Sequence, residues 1–232
     1  MSLGTVSIPI YSSGNVRDDP QWSRDDDWER FSRFWDDLPL DAHMGDGGTY
    51  RRRKYSAVSY EFGSGAVRPL GQDGFLQSRE INRLNGGVVR RFEPVDPALL
   101  GTSVLHRLLA RFTRQIAGTA RTAGSPAPVG RVNIHQHRIT ATGAQAGNPT
   151  PEGMHRDGVG HIVMMLVARE NVAGGSSTLH DNAGTPVFTR TLTDPGDYIF
   201  LDDRTCLHST SPVTAASPAA HGYRDMFFLE FC

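Results

Sequence analysis

Apolar residues recur at helical spacing in two stretches of the first half of the chain. Trp28, Phe31, Trp35 and Leu38 fall on one face of a helix. Asp25, Asp26 and Asp27 precede them, at the end where a helix favours negative charge, and Pro39 stops it. Val104, Leu105, Leu108, Leu109, Phe112 and Ile116 repeat the pattern and predict the longest helix, with Gly118 as its end. Both stripes predict packing against a sheet. After Gly130 the texture changes. Short runs rich in β-branched and aromatic residues alternate with Gly, Pro, Asn and Asp clusters, and predict strands over Arg131–Ala141, His161–Ala168, Ser177–His180, Pro186–Leu192, Asp197–Leu201 and Tyr223–Phe231. Asp194-Pro195-Gly196 reads as a turn, because Pro sets one φ and Gly allows a positive one.

This pattern divides the chain into parts of one domain spanning 1–232. Residues 1–24 are polar and rich in Gly and Asp, and read as a loose arm. Residues 25–118 read as a helix-rich flank, and 130–232 as a β-rich double sheet or barrel that holds the chemistry. The loops Gly143–Gly153 and Ser211–Gly222 bracket the candidate chemistry, where lids and substrate contacts sit.

With 232 residues, the chain can bury one substantial core. A net charge of −1 gives no reason to expect nucleic acid or an anionic membrane as a partner. Two cysteines, Cys206 and Cys232, need no disulfide framework and suit a reduced, cytoplasmic setting. No charged region followed by a long apolar core marks a signal peptide. The longest apolar run, Ile162–Ala168, has seven residues, against the roughly 20 a membrane helix requires. The one basic cluster, Arg51-Arg52-Arg53-Lys54, fits a solvated strand edge or an anion site equally well.

The candidate chemistry lies in Glu152-Gly153-Met154-His155-Arg156-Asp157-Gly158, read with His208 and Arg224. Two imidazoles and a carboxylate can hold one Fe(II) on one face and leave the other open. On a strand, His155 and Asp157 would share a face. Period two on Tyr223–Phe231 puts Arg224 with Met226 and Phe228 in a largely apolar, covered strand. A charge there needs a partner. Asp225 or Glu230 is one answer, and a bidentate carboxylate of 2-oxoglutarate is the other. Thr210, two residues after His208, is a candidate helper hydroxyl. His135-x-His137 could open a cupin-type metal site, but no carboxylate follows it. His161, His180 and His221 read as polar or partly buried histidines.

The motif Pro151–Gly158, together with Leu207-His208-Ser209-Thr210 and Gly222-Tyr223-Arg224-Asp225, resembles the 2-oxoglutarate/Fe(II) dioxygenases that include the bacterial L-isoleucine hydroxylases. Tyr50–Tyr55 and Gly86–Phe92 are also similar to that family, so the resemblance covers residues 50 to 232. It implies a double-stranded β-helix (jelly roll, cupin-like), mainly β with flanking helices. It further implies His155, Asp157 and His208 as iron ligands, Arg224 as the 2-oxoglutarate clamp, and hydroxylation of an unactivated C–H bond on a free amino acid or close derivative with oxygen as oxidant. The carboxylate of Asp157 favours hydroxylation over the halogenation of relatives that lack it.

An amino-acid substrate would need a cation for its carboxylate, and Arg53 and Arg91 both qualify. Succinate and carbon dioxide are the expected co-products. The rival readings are the same chemistry on a carrier-tethered or peptidyl substrate, a desaturation or cyclisation outcome, a zinc hydrolase, and a metal-free jelly-roll binding protein.

Overall fold

The computed structural model describes residues 10–22, 25–71, 74–122, 130–217 and 219–232. Their elements in chain order are β1 (Tyr11–Asn15), α1 (Asp25–Ser32), β2 (Arg51–Glu61), β3 (Ala66–Pro69), α2 (Pro97–Leu100), α3 (Ser103–Thr122) and β4 (Arg131–Ala141). There follow β5 (His161–Glu170), β6 (Val172–Gly174), β7 (Ser176–His180), β8 (Pro186–Thr191), β9 (Asp197–Asp202), β10 (Leu207–Thr210), β11 (Val213–Ala215) and β12 (Gly222–Phe231). Each of the six strands expected from the sequence is present, within two residues at either end.

A seven-stranded sheet runs β1-β9-β5-β12-β4-β2-β3, a three-stranded sheet runs β10-β7-β8, and β11 pairs with β6. Every pairing is antiparallel. The mainly β architecture, with two sheets and helices on one face, is a jelly roll.

The position of β12 explains its composition. It lies between β4 and β5, so both of its edges are paired, and a core cluster covers each face. Phe227, Leu229 and Phe231 join Leu105, Leu108, Leu109 and Phe112 of α3, with Phe31 and Trp35, in the core behind the large sheet. The ring of Phe31 meets that of Phe227 edge-on at 5.2 Å. Met226, on the other face, packs with Leu179 of β7 and Ile162 and Met164 of β5 between the two sheets. Burying each such side chain contributes roughly 1.5–3 kcal/mol. The indole Nε1 of Trp35 donates to the carbonyls of His137 and Met226, both at 3.2 Å, and pins the flank to β4 and β12.

Three expectations are corrected. Residues 11–15 are not a loose arm but the edge strand β1 on β9; residues 1–9 and 23–24 lie outside the described residues. The flank 25–118, expected to be helix-rich, also supplies β2 and β3, which complete the large sheet. The first helix ends at Ser32 and tightens into a 3₁₀ turn over Arg33–Trp35, and α3 runs through Gly118 to Thr122. An isolated glycine weakens a helix by only about 1 kcal/mol, which the packed stripe overrides. The turn at Gly196 is as expected, with φ +92.

Because β2 is internal, Arg51 and Arg53 point one way and Arg52 the other. Arg51 and Arg53 are buried and Arg52 is exposed, which removes the solvated-edge reading of this cluster. Among the described residues no helix is long and apolar enough to cross a membrane.

Candidate metal centre

A backbone bridge brings the distant imidazole home. The N–H of His155 donates to the carbonyl of His208 at 3.0 Å, and the N–H of His208 returns the bond at 2.9 Å. His208 is held on β10, paired with Leu179 of β7. The two rings lie 4.3 Å apart. Asp157 Oδ1 is 3.7 Å from His155 Nε2, and Asp157 Oδ2 is 3.5 Å from His208 Nε2. One ligand atom from each of His155, Asp157 and His208 lies within 4.8 Å of the others, close enough for a single ion. His155 and Asp157 do not sit on a regular strand, as the spacing suggested, but in an extended loop around that bridge.

The loop is shaped from behind. Asp203, buried after β9, accepts from the N–H groups of Asp157 at 3.2 Å, Gly158 at 2.7 Å and Val159 at 3.0 Å. Gly158 turns the chain there with φ +80, a conformation L side chains rarely adopt. Gln77 Nε2 donates to Asp157 Oδ1 at 3.3 Å. His155 Nδ1 sits 2.9 Å from the Gly153 carbonyl, which places its proton there and leaves the Nε2 lone pair facing Asp157.

Arg224 lines the same cavity and is 2% exposed. Both carboxylates that might have paired with it are engaged elsewhere. Asp225 accepts a bidentate pair from Arg138 at 2.7 Å and 2.7 Å, and Glu230 sits 3.0 Å from His135 Nε2. The Nε and Nη2 of Arg224 are buried without a partner. Burial and then the neighbouring Arg169 bring Arg224 down to about 9, so it stays cationic at neutral pH. Gly175 makes room for it: a Cβ there would meet Arg224 Cδ at 3.1 Å. Thr210 and Ser177 line the same cavity, their hydroxyls 3.2 Å apart.

A profile described as "2OG-Fe dioxygenase" matches residues 32–230. The chain belongs to the 2OG-Fe dioxygenase family. A bsmA homolog from Methylobium petroleophilum PM1 is 30% identical, over 89% of this chain and 81% of that one, with a TM-score of 0.77. Two more distant structures share the fold. IDO from Bacillus thuringiensis is 17% identical, covers 96% of this chain and 93% of its own, and has a TM-score of 0.76. The Fe(II)/α-ketoglutarate-dependent dioxygenase TqaL is 16% identical over 95% of this chain and 81% of its own, with a TM-score of 0.62. No curated protein matches the chain in sequence.

Dioxygenases of this family use Fe(II), 2-oxoglutarate and O2, and the donors present fit that set. Two imidazoles and a carboxylate are the ligand types that Fe(II) oxygenases favour. The unpartnered guanidinium of Arg224 is the kind of group that holds a dicarboxylic acid.

The structure separates the two substrate candidates. Arg53 lines the cavity. Arg91 is exposed, its backbone N–H donating to His43, and it does not line the cavity; the neighbouring Arg90 does. The hairpin-like pairing of Phe75 with Arg90 turns Arg90 inward, and a loop residue gives no such sign in sequence. Among the described residues His135 and His137 join no metal-binding cluster, and His135 faces Arg53 and Glu230. Glu152, Gln77 and Asp203 were missed as site residues. Glu152 stood in the motif itself, whereas Gln77 and Asp203 lie in stretches with no chemical pattern.

Two expected results follow from these supports. Asp203→Asn should weaken Fe(II) binding by about 10–100-fold, the range typical of groups that hold a metal ligand in place. Competition with a chelator measures it, and wild-type affinity in the variant would show that Asp203 does not position Asp157. The second concerns pH. Burial lowers the pKa of His155, but the Asp157 and Glu152 carboxylates outweigh it and hold the group above its usual value. Burial and then His155 push His208 down to about 4. The raised group contributes stability to the metal-free protein at low pH and loses it as pH rises through its folded pKa. A metal competes with that proton, so the effect on binding has the opposite sign. Fe(II) affinity should fall about tenfold per pH unit once pH drops below the raised pKa of His155, with His208 adding a second slope only near its own value. Affinity measured by chelator competition that stayed flat through the acid range would contradict this.

Proposed function

We propose that this protein is an Fe(II)- and 2-oxoglutarate-dependent hydroxylase of an unactivated C–H bond on a free L-amino acid or close derivative. The observation that carries the reading is a fully buried guanidinium without a carboxylate, Arg224, in the same cavity as His155, Asp157 and His208. An uncompensated buried charge is retained where a ligand completes it. A metal-free binding module gives no reason for the three donors to converge beside it.

In this reading His155, Asp157 and His208 hold the metal on one face. Arg224 grips the distal carboxylate of 2-oxoglutarate, with the Thr210 hydroxyl beside it. Fe(II) and 2-oxoglutarate, when bound, supply oxygen activation and leave succinate and carbon dioxide as co-products. The side chains of Met164, Met226 and Phe228 give the cavity an apolar wall that excludes water.

The amino-acid substrate rests on the resemblance to L-isoleucine hydroxylases and on the further arginines in the cavity. The chain acts as a single dioxygenase domain, which is supported by one sheet that takes strands from both β1–β3 and β4–β12. Two free cysteines, Cys206 and Cys232, favour the cytoplasm. The test is oxygen-dependent succinate release with Fe(II) across a panel of free L-amino acids. Stimulation by one or a few members is expected. Release seen only with peptidyl or carrier-bound residues would point to a tethered substrate.

A further inference from the structure

Several cations on one wall of the cavity have no carboxylate in direct contact. Arg51, Arg53, Arg90 and Arg224 all line it, and each is at most 5% exposed. Arg224 is accounted for by 2-oxoglutarate, and Arg51 Nε is paired with Asp41 at 2.7 Å. Arg53 and Arg90 pair with no carboxylate among the described residues. Arg53 Nη2 lies 2.7 Å from His135 Nδ1, and Arg90 Nη2 donates to Gln77 Oε1 at 2.7 Å, so both acceptors are neutral. Their Nε atoms are buried without a partner. Both guanidiniums lie over the ring of Phe75, at 5.1 Å and 4.9 Å, and Arg53 also lies 4.2 Å from the ring of Phe92.

This wall is rigid. His135 Nε2 lies 3.0 Å from Glu230 Oε1, and Asn133 Nδ2 donates to Glu230 Oε2 at 3.0 Å. Arg53 thus approaches His135 at Nδ1, while the Nε2 of the same ring faces the Glu230 carboxylate. Glu152, three residues before His155 in the metal motif, lines the same cavity. Its Oε1 is 3.5 Å from His155 Nε2, and its Oε2 is buried without a partner.

Two like charges buried side by side are stable only with an anion between them. A buried carboxylate oxygen with no donor calls in turn for a cation. We infer that Arg53 and Arg90 hold a free carboxylate of the substrate and that Glu152 takes its ammonium group. The site then reads the zwitterionic head of an α-amino acid, and refuses one linked to a carrier through its carboxyl group. This assignment rests on the oxygenase reading of the same cavity, and names the groups that choose its substrate.

The experiment is anaerobic calorimetric titration of the full-length protein loaded with Fe(II) and 2-oxoglutarate. The ligands are the common L-amino acids, then the methyl ester and the N-acetyl derivative of the tightest binder. Both derivatives should bind at least about 30-fold more weakly, as expected when one partner of a buried charge pair is removed. Arg53→Gln and Arg90→Gln should each lose amino-acid binding to a similar degree. An ester that binds as well as the acid would overturn the carboxylate assignment, and an N-acetyl derivative that binds as well would overturn the role of Glu152. Failure of every amino acid in the panel to bind would overturn both. The ester and N-acetyl arms use the unaltered protein, so the result stands even if a variant does not fold. The visible absorption that 2-oxoglutarate gains on Fe(II) reports the metal site separately. Its absence would refute the oxygenase reading, while its presence with undiscriminating calorimetry would refute the head-group assignment alone.

Discussion

Asp157→Ala should abolish succinate formation. Asp157 is the one carboxylate in the three-residue cluster, and both of its oxygens face an imidazole, at 3.7 Å and 3.5 Å. Removing it leaves two neutral nitrogens to hold a divalent cation. Loss of a group that merely supports a ligand typically weakens a metal site 10–100-fold, so loss of the ligand should exceed about 100-fold. The fold should survive. Asp157 sits in a loop, and the bonds that shape that loop run from backbone N–H groups to Asp203 rather than through the Asp157 side chain. The measurement is oxygen-dependent succinate release together with Fe(II) binding, with a thermal melt to show that the variant is folded. Succinate formed at the wild-type rate by the folded variant would remove Asp157 from the metal site and the oxygenase reading with it.

Arg224→Met should raise the KM for 2-oxoglutarate while leaving Fe(II) binding intact. Truncating one side of a buried, hydrogen-bonded charge pair costs about 2–5 kcal/mol, which is roughly 30-fold to several thousand-fold in affinity. The triad is untouched, since none of its contacts includes Arg224. Stability separates this role from a structural one. A guanidinium in an ion pair would leave a stranded carboxylate when removed and destabilise the fold by about 3–5 kcal/mol. Arg224 has no such partner among the described residues, because Asp225 belongs to Arg138 and Glu230 to His135. Replacing it with an apolar chain of similar length should leave the ligand-free protein as stable as before, or more so. Unchanged KM for 2-oxoglutarate, or a large drop in the melting temperature of the ligand-free protein, would assign Arg224 to the scaffold instead.

The two results probe different sides of one cavity. The first tests whether a metal binds where three donors meet. The second tests whether a charge buried without a protein partner is completed by a ligand. The inferred head-group site adds a third direction, from Arg53 and Arg90. A substrate held there and a dicarboxylate held at Arg224 would both face the triad, the geometry needed to set a C–H bond beside an oxidising centre.

Local patterning told most about the second half of the chain. The strands from β4 to β12 that carry long runs of β-branched and aromatic residues were legible because sheet burial imposes period two and their turns carry Gly and Pro. The short strands β6, β10 and β11 were not, because three or four residues cannot display a period. β1 was missed, and β2 was glimpsed only as a strand edge at its basic start, for another reason. β1 is mostly polar, and β2 opens on four consecutive basic residues, so neither resembles a half-buried strand in isolation. Their burial comes from neighbours in the sheet, which no local window contains.

The candidate site divides in the same way. His155, Asp157, His208 and Arg224 could be picked out by residue type and spacing, because metal and carboxylate chemistry restricts which side chains can serve. Tertiary structure alone decided which charges are left over. Only the pairing of β12 with β4 and β5 shows Asp225 and Glu230 engaged elsewhere and Arg224 without a partner. Only the packing of the 75–90 loop turns Arg90 inward rather than Arg91. The physical reason is that a residue's chemistry is written at its own position, whereas its burial and its partners are set by segments up to about two hundred residues away, brought beside it by the sheets.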